Sequence, residues 1–249
     1  MKKFLAALLV FVASVLASSS AHAIVDVDAR YWFSSLDAKV KATSGGVIGT
    51  DIDLANDLGL DDKKNFLEGR VTLELGSHKL RYGFMPLKWD GSKTITQTIT
   101  FGGQTYSAST LVDSELNLDY HRLAYEYDII DVLSNRLGVI FEVKYLNGEA
   151  RLKSSAIDEV QKINAPIPTV GLSAQVGLPF LASVGGEVTG IGIGKQAYLF
   201  DAEAAINIKP APFVVISGGY RIMKLHLEKN DDKGDLTIKG PFLNLRADF

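Results

Sequence analysis

Strict two-residue alternation of apolar and polar side chains governs what this chain can become. In the closing stretch Pro241-Phe-Leu-Asn-Leu-Arg-Ala-Asp-Phe249, Leu243, Leu245, Ala247 and Phe249 share one parity, and Asn244, Arg246 and Asp248 share the other. A period of two is the signature of a strand with one apolar and one polar face. The pattern recurs along the chain and is clearest from Arg136 to about Leu152. There Leu137, Val139, Phe141, Val143 and Tyr145 oppose Glu142 and Lys144.

The first residues follow a different rule. Lys2 and Lys3 precede an apolar run from Phe4 to Ala17, and Ala21-His22-Ala23 places small residues where a signal peptidase reads them. Residues 1–23 are expected to be a secretory signal peptide, too short and wrongly flanked to span a membrane. The mature domain is then 24–249. Loss of Lys2 and Lys3 leaves 24 bases against 29 acids, a net charge of −5 that argues against a nucleic-acid partner. The chain has no cysteine, which excludes disulfides and thiolate metal sites. No later apolar run approaches the roughly 20 residues of a transmembrane helix, so any membrane crossing must be made by strands.

Ten strands are expected, with eight as the alternative, and the last pairs with the first. The first covers Val25 to about Lys41, and an acidic loop from Thr43 to Asn65 follows it. Within that loop Leu54, Leu58 and Gly59 fit one short helical turn. The third strand is expected to run from Leu80 past Trp89 to Phe101, where Gly102-Gly103 turns it back. In the fourth strand Leu116, Leu118 and Tyr120 give way to Leu123, Tyr125 and Tyr127 on the opposite parity, which implies a bulge near His121-Arg122. A mixed loop to Ala165 is expected before the sixth strand, where Pro166 and Pro168 suit only a strand start. Strands seven and eight are expected to meet at a tight connection at Lys195.

A soluble lipid-binding barrel and a membrane barrel share this period. The membrane reading is favoured by aromatics near strand ends, with Tyr31, Phe33, Tyr145 and Tyr198 at one rim and Tyr82, Tyr127, Phe213 and Phe249 at the other. Connections at Gly76–Lys79, Gly177–Leu181 and Lys209–Pro212 are short, and others are long. In hydrocarbon every backbone group needs an internal partner, so the sheet must close. With its strand ending on Phe249 and a first loop reading Asp51-Ile-Asp53-Leu-x-x-Asp57-Leu-Gly-Leu60, the chain resembles small bacterial outer-membrane β-barrels, broadly of the OmpA and OmpW type. That resemblance implies an all-β, closed, antiparallel up-and-down barrel in the outer membrane. Its partners would be outer-membrane lipid, the barrel-assembly machinery acting on Leu243, Leu245 and Phe249, and an unidentified partner at the extracellular loops.

The candidate lumen charges are the acids Asp28, Glu68, Glu74, Asp119, Glu142, Glu187, Asp201 and Glu203 and the bases Arg30, Arg70, Arg81, Lys144, Arg221 and Arg246. Barrels of about eight strands are filled by side chains and those of 16 to 18 are open. Ten lies near the filled limit, so these groups are expected to form a packed ion-pair network. That makes the chain a non-enzymatic barrel with functional outer loops. A narrow channel for small solutes and a rim-site enzyme acting on lipid or peptide are the alternatives. His78, His121 and His226 lack a nucleophile signature, and Asp51, Asp53 and Asp57 lack the calcium-loop spacing. No cofactor fingerprint is present.

Overall fold

The structure, a computed structural model, describes residues 24–249 apart from positions 44, 45, 47, 195 and 230. The expected signal peptide and the Lys195 connection lie outside the described residues. Thirteen strands follow one another as β1 (Ile24–Lys41), β2 (Ile52–Asp53), β3 (Lys63–Leu75), β4 (His78–Thr94), β5 (Ile99–Phe101), β6 (Gln104–Tyr106), β7 (Leu111–Val132), β8 (Asn135–Lys153), β9 (Asp158–Leu178), β10 (Ala182–Ile193), β11 (Ala197–Ala211), β12 (Val214–Lys229) and β13 (Asp232–Asp248). Ten of them form a closed antiparallel barrel in which β13 pairs back onto β1. β2 rides on the end of β1, and β5–β6 is a separate hairpin within the β4–β7 connection.

Cross-strand register fixes the barrel's dimensions. Partners of Val25 run through Leu73, Leu80, Tyr125, Phe141, Val170, Gly190, Phe200, Lys224 and Thr237, and return to β1 at Asp37, twelve residues farther on. With about 3.3 Å per residue and about 4.8 Å between strands, that stagger sets a strand tilt of about 40° and a backbone radius of about 10 Å. Such a bore is filled by long side chains reaching inward from opposite walls.

Two ends differ. Gly76-Ser77, Leu133-Ser134, Pro179–Leu181 and Pro212-Phe213 make tight connections at the end that also holds Ile24 and Phe249, the turn end. The β1–β3 and β4–β7 connections at the loop end are long and fold inward. In the first, Asp57 and Gly59 N–H groups donate to Asp53 and Ala55 carbonyls at 2.8 and 3.0 Å, the expected helical turn. Gly59 ends it at a φ of 70°. Ile52, Leu54, Leu58 and Leu60 are thereby buried in the barrel mouth.

Nearly every long strand changes its apolar parity at one level. In β4 the apolar residues Leu80, Tyr82 and Phe84 point outward, and beyond them Met85, Leu87 and Trp89 point inward. In β1 the outward Tyr31 and Phe33 give way to the inward Leu36 and Ala38. The same change in β7 is the one the sequence attributed to a bulge. The ladder runs unbroken through His121 and Arg122, and its register shift lies between Asp128 and Ile130. The cause is solvent: toward the turn end the outside of the barrel is apolar, and toward the loop end the inside is. A water-soluble barrel has no reason to invert in this way. One that passes from hydrocarbon into water must. Phe141, 57% exposed, sits in the outer apolar band. Phe141→Arg should therefore cost about 2–4 kcal/mol in equilibrium folding into bilayers, and Asn147→Arg on the same face beyond the band about 0–1.

Three further expectations change. β4 ends at Thr94, and Gly102-Gly103 turns the β5–β6 hairpin instead. The connection before β9 spans only residues 154–157. Pro166 and Pro168 lie in mid-strand, above the last β9–β10 pair, Val170 with Gly190, where β9 has β8 alone as neighbour. Pro86 and Pro241 also sit where one ladder lapses, beyond Gly69–Phe84 and between Trp32–Phe242 and Ser35–Lys239. A residue without an N–H is tolerated where one edge is unpaired.

Candidate functional site: a lumen closed in layers

Inward-facing charges converge in the middle of the barrel because alternation delivers one from each wall at neighbouring levels. Arg221 of β12, fully buried, donates through Nε and Nη2 to Asp201 of β11 at 2.9 and 2.8 Å and through Nη1 to Glu68 of β3 at 3.2 Å. Arg30 of β1 grips Glu203 with two bonds of 2.6 and 2.7 Å. Lys144, also fully buried, lies between Asp201 and Glu142, the latter at 3.3 Å. Arg122 bridges Glu142 at 2.6 Å and Glu187 at 2.7 Å, and Arg81 joins Glu187 to Glu126. Arg70 approaches Glu68 at 3.4 Å.

Six bases thus meet six acids. Two-pronged guanidinium–carboxylate contacts supply the geometry that buried ions need to offset their lost hydration. Tyr120 and Thr169 hydroxyls donate to Asp201 and Glu142 at 3.3 Å each, occupying further lone pairs.

Of the charges singled out from the sequence, Arg30, Glu68, Arg70, Arg81, Glu142, Lys144, Glu187, Asp201, Glu203 and Arg221 meet in this cluster. Glu74, Asp28 and Arg246 face inward nearer the turn end, with Glu74 3.5 Å from Arg136 and Arg246 2.9 Å from Asp248. Asp119 does not belong to it. It is exposed on the outer wall, since Leu116, Leu118 and Tyr120 point inward. Arg122, Glu126 and Asp128, not singled out from the sequence, keep the even parity of Tyr120 throughout β7, opposite the outward Leu123, Tyr125 and Tyr127. Unbroken parity was the signal that finds them.

Below the cluster, toward the turn end, a cavity of about 180 Å³ lined by Asp26, Glu74, Arg136 and Arg246 leads to one of about 580 Å³ at the rim, beside Leu133, Phe213 and Phe249. Above it the lumen is apolar. Trp32, Met85, Leu87, Trp89, Leu118, Leu146, Ile238 and Phe242 fill the bore beneath the inturned loop residues. Tyr106 of the β5–β6 hairpin pins that lid to the wall by donating to the Leu152 carbonyl at 2.7 Å. Burial, with Glu159 and Asp158 nearby, pushes its hydroxyl up to about 12, so it remains a donor.

The histidines lie outside this core. His78 bonds the Tyr125 hydroxyl at 2.7 Å near the turn end, and His121 meets the Tyr82 hydroxyl at 2.9 Å within an aromatic group that includes Phe84 and Tyr145. Tyr82 therefore belongs with Tyr145 and not with the opposite rim. His226 bonds Asp235, stacks on Tyr198 with 5.3 Å between centroids, and lies 3.8 Å from Glu228. Partial burial would raise Asp235, but hydrogen bonds from His226 and Lys233 prevail and hold it below the usual carboxylate range. Among the described residues no group of three His, Asp or Glu side chains is placed to hold a metal ion.

No protein-family model matches the chain, and no curated protein matches it in sequence. In fold it is similar to the outer membrane protease OmpT of Escherichia coli, at 12% identity over 91% of this chain and 97% of that one, with a TM-score of 0.54. Ail, the attachment invasion locus protein of Yersinia pestis, aligns at 12% identity over 92% and 99% with a TM-score of 0.37. Neisserial surface protein A aligns at 12% over 93% and 100% with a TM-score of 0.36. A ten-stranded closed barrel, girdled outside by an apolar band, makes this chain a small bacterial outer-membrane β-barrel protein in fold and location.

Proposed function

We propose that this protein is a non-enzymatic, non-conducting barrel whose loop end, held above the membrane, carries a surface-interaction role. The single observation that supports this reading is the double closure of the lumen. A charge-balanced ion-pair cluster blocks the middle, and an apolar plug tied to both long connections blocks the outer mouth. A conduit needs a continuous wet path, and neither layer leaves one. In a planar bilayer the protein should give no steady conductance, only rare small openings of slight cation preference. Large stable channels would move the role to diffusion of small solutes.

A rim-site enzyme acting on lipid or peptide is the second reading, and the His226–Asp235 pair favours it. The pair faces the outer wall beside Tyr198 and not the barrel mouth, which suits a girdle better than a cleft. Release of acyl chains from outer-membrane lipid, or cleavage of a peptide pool, by purified protein would establish it.

Export through the signal peptide at 1–23, and insertion by the assembly machinery acting on β13, belong to the same proposal. Leu243, Leu245 and Phe249 are exposed along that closing strand, and Phe249 exchanges backbone hydrogen bonds of 2.9 and 3.0 Å with Val25. Deleting Phe249 should lower the yield of heat-modifiable barrel in membranes severalfold, while barrel already folded keeps its unfolding free energy in urea within about 0.5 kcal/mol. Normal membrane yield would remove this role from Phe249.

A further inference from the structure

The turn end of the lumen, which faces the periplasm in an outer-membrane barrel, holds charges that the mid-barrel cluster does not use. Asp26 of β1 is only 4% exposed and lines both the cavity of about 180 Å³ and the wider one of about 580 Å³ beside it. Among the described residues its carboxylate accepts no hydrogen bond and forms no ion pair. Two cations of this rim are taken elsewhere, since Arg246 lies 2.9 Å and Lys209 3.0 Å from Asp248. Higher on the same wall Asn244 donates to Asp28 at 2.8 Å, and its own buried Oδ1 is left without a donor. Buried acceptors without donors are costly, and here two of them border one cavity.

Arg136 of β8 lines the same two cavities from the other side, four strands away in the ring of ten. It lies 3.5 Å from Glu74 and 3.6 Å from Asp131, and among the described residues none of its nitrogens donates a hydrogen bond. The space between exists because the walls of β9 to β12 contribute small residues there, Ser173, Gly185, Ala205 and Ser217. At the rim, Leu133, Leu181, Phe213 and Phe249 make one side of the wider cavity apolar. Among the described residues no three acids are placed to hold a metal ion. An organic ammonium, with three N–H donors on one centre, suits the isolated Asp26 better.

We propose that this vestibule binds a short zwitterionic peptide from the periplasm. Its terminal ammonium donates to Asp26 and its terminal carboxylate accepts from Arg136, both as charge-assisted hydrogen bonds. The Asn244 Oδ1 accepts a further N–H of the peptide, and apolar side chains lie against the rim. Ligand sites typically combine such an apolar surface with a few placed polar groups. The charge cluster closes the vestibule above, so the peptide is held at the periplasmic end and not passed through. This role is separate from whatever the loop end binds.

The test is calorimetric titration of the full folded barrel in non-ionic micelles with the tripeptide Ala-Leu-Ala. The same peptide acetylated at its amino end, or amidated at its carboxyl end, lacks one charge, and each should bind about tenfold or more weakly. Asp26→Asn should weaken the free peptide by a similar factor and remove the discrimination against acetylation, while that against amidation stays. Arg136→Gln should do the reverse. Asp119→Asn, on the outer wall, should change neither. The capped peptides act on the unaltered barrel, so the proposal can fail even where a variant does not fold. Absence of binding at millimolar peptide, equal binding of the three peptides, or discrimination that survives in both folded variants would each overturn it.

Discussion

Arg221→Ala is expected to destabilise the folded barrel by about 3–5 kcal/mol, because it strips a buried charge cluster of one partner while leaving the others in place. Arg221 is fully enclosed, holds Asp201 through two nitrogens and reaches Glu68 through the third. Its removal leaves Asp201 facing Lys144 and the Tyr120 hydroxyl, and Glu68 facing Arg30 at 3.5 Å. Unfolding from lipid vesicles in urea, read by the heat-modifiable band, measures the loss. Removing the charge on both sides, Arg221→Met with Asp201→Asn, should recover part of it, since the penalty comes from the orphaned carboxylate more than from the lost attraction. A neutral Arg221→Ala would mean that water reaches the cluster and screens it. That outcome would also undo the argument for a sealed lumen.

The cluster was legible in the sequence as far as parity could carry it. Arg30, Glu68, Arg70, Glu142, Lys144, Asp201, Glu203 and Arg221 fall on the inward face because a strand's side chains alternate without exception between bulges. Parity alone misleads where an apolar face does not keep one direction along a whole strand. Leu116, Leu118 and Tyr120 look like a lipid-facing set, and on that premise Asp119 turns inward. They are the inside of a section of barrel that stands in water. Where Leu123, Tyr125 and Tyr127 take over, the strand has entered hydrocarbon and nothing in its backbone has changed. A parity switch with no turn residue beside it marks the membrane boundary as readily as it marks a bulge, and the recurrence at one level in β1, β4 and β7 distinguishes the two. The inward folding of the β1–β3 and β4–β7 connections was less legible. Ile52, Leu54 and Leu58 share one parity, but Asn56 interrupts it and a helical turn carries the segment, so only the closed bore gives them something to cover.

Trp32→Ala should cost about 3–5 kcal/mol, within the range for truncating a fully buried aromatic residue. Trp32 has no exposed surface, and its indole Nε1 donates to the Gly240 carbonyl at 3.0 Å across the β1–β13 seam. That seam is close: a Cβ on Gly240 would come within 1.9 Å of the Phe33 carbonyl oxygen. The ring also lies under the Arg221 guanidinium, 5.1 Å from its centroid. Trp32 is therefore the surface at which the apolar plug rests on the charge cluster. Its loss opens a void on one side and exposes a desolvated cation on the other. The two layers should accordingly fail together. In a cycle of Trp32→Ala and Arg221→Met, the combined loss should fall short of the sum of the single losses by about 0.5–3 kcal/mol. Trp32→Phe, which keeps a ring beneath Arg221 but loses the bond to Gly240, should cost about 1–3 kcal/mol, chiefly for the carbonyl left unpaired. Strict additivity in the cycle would show that plug and cluster are independent, and closure of the lumen would then rest on either one alone.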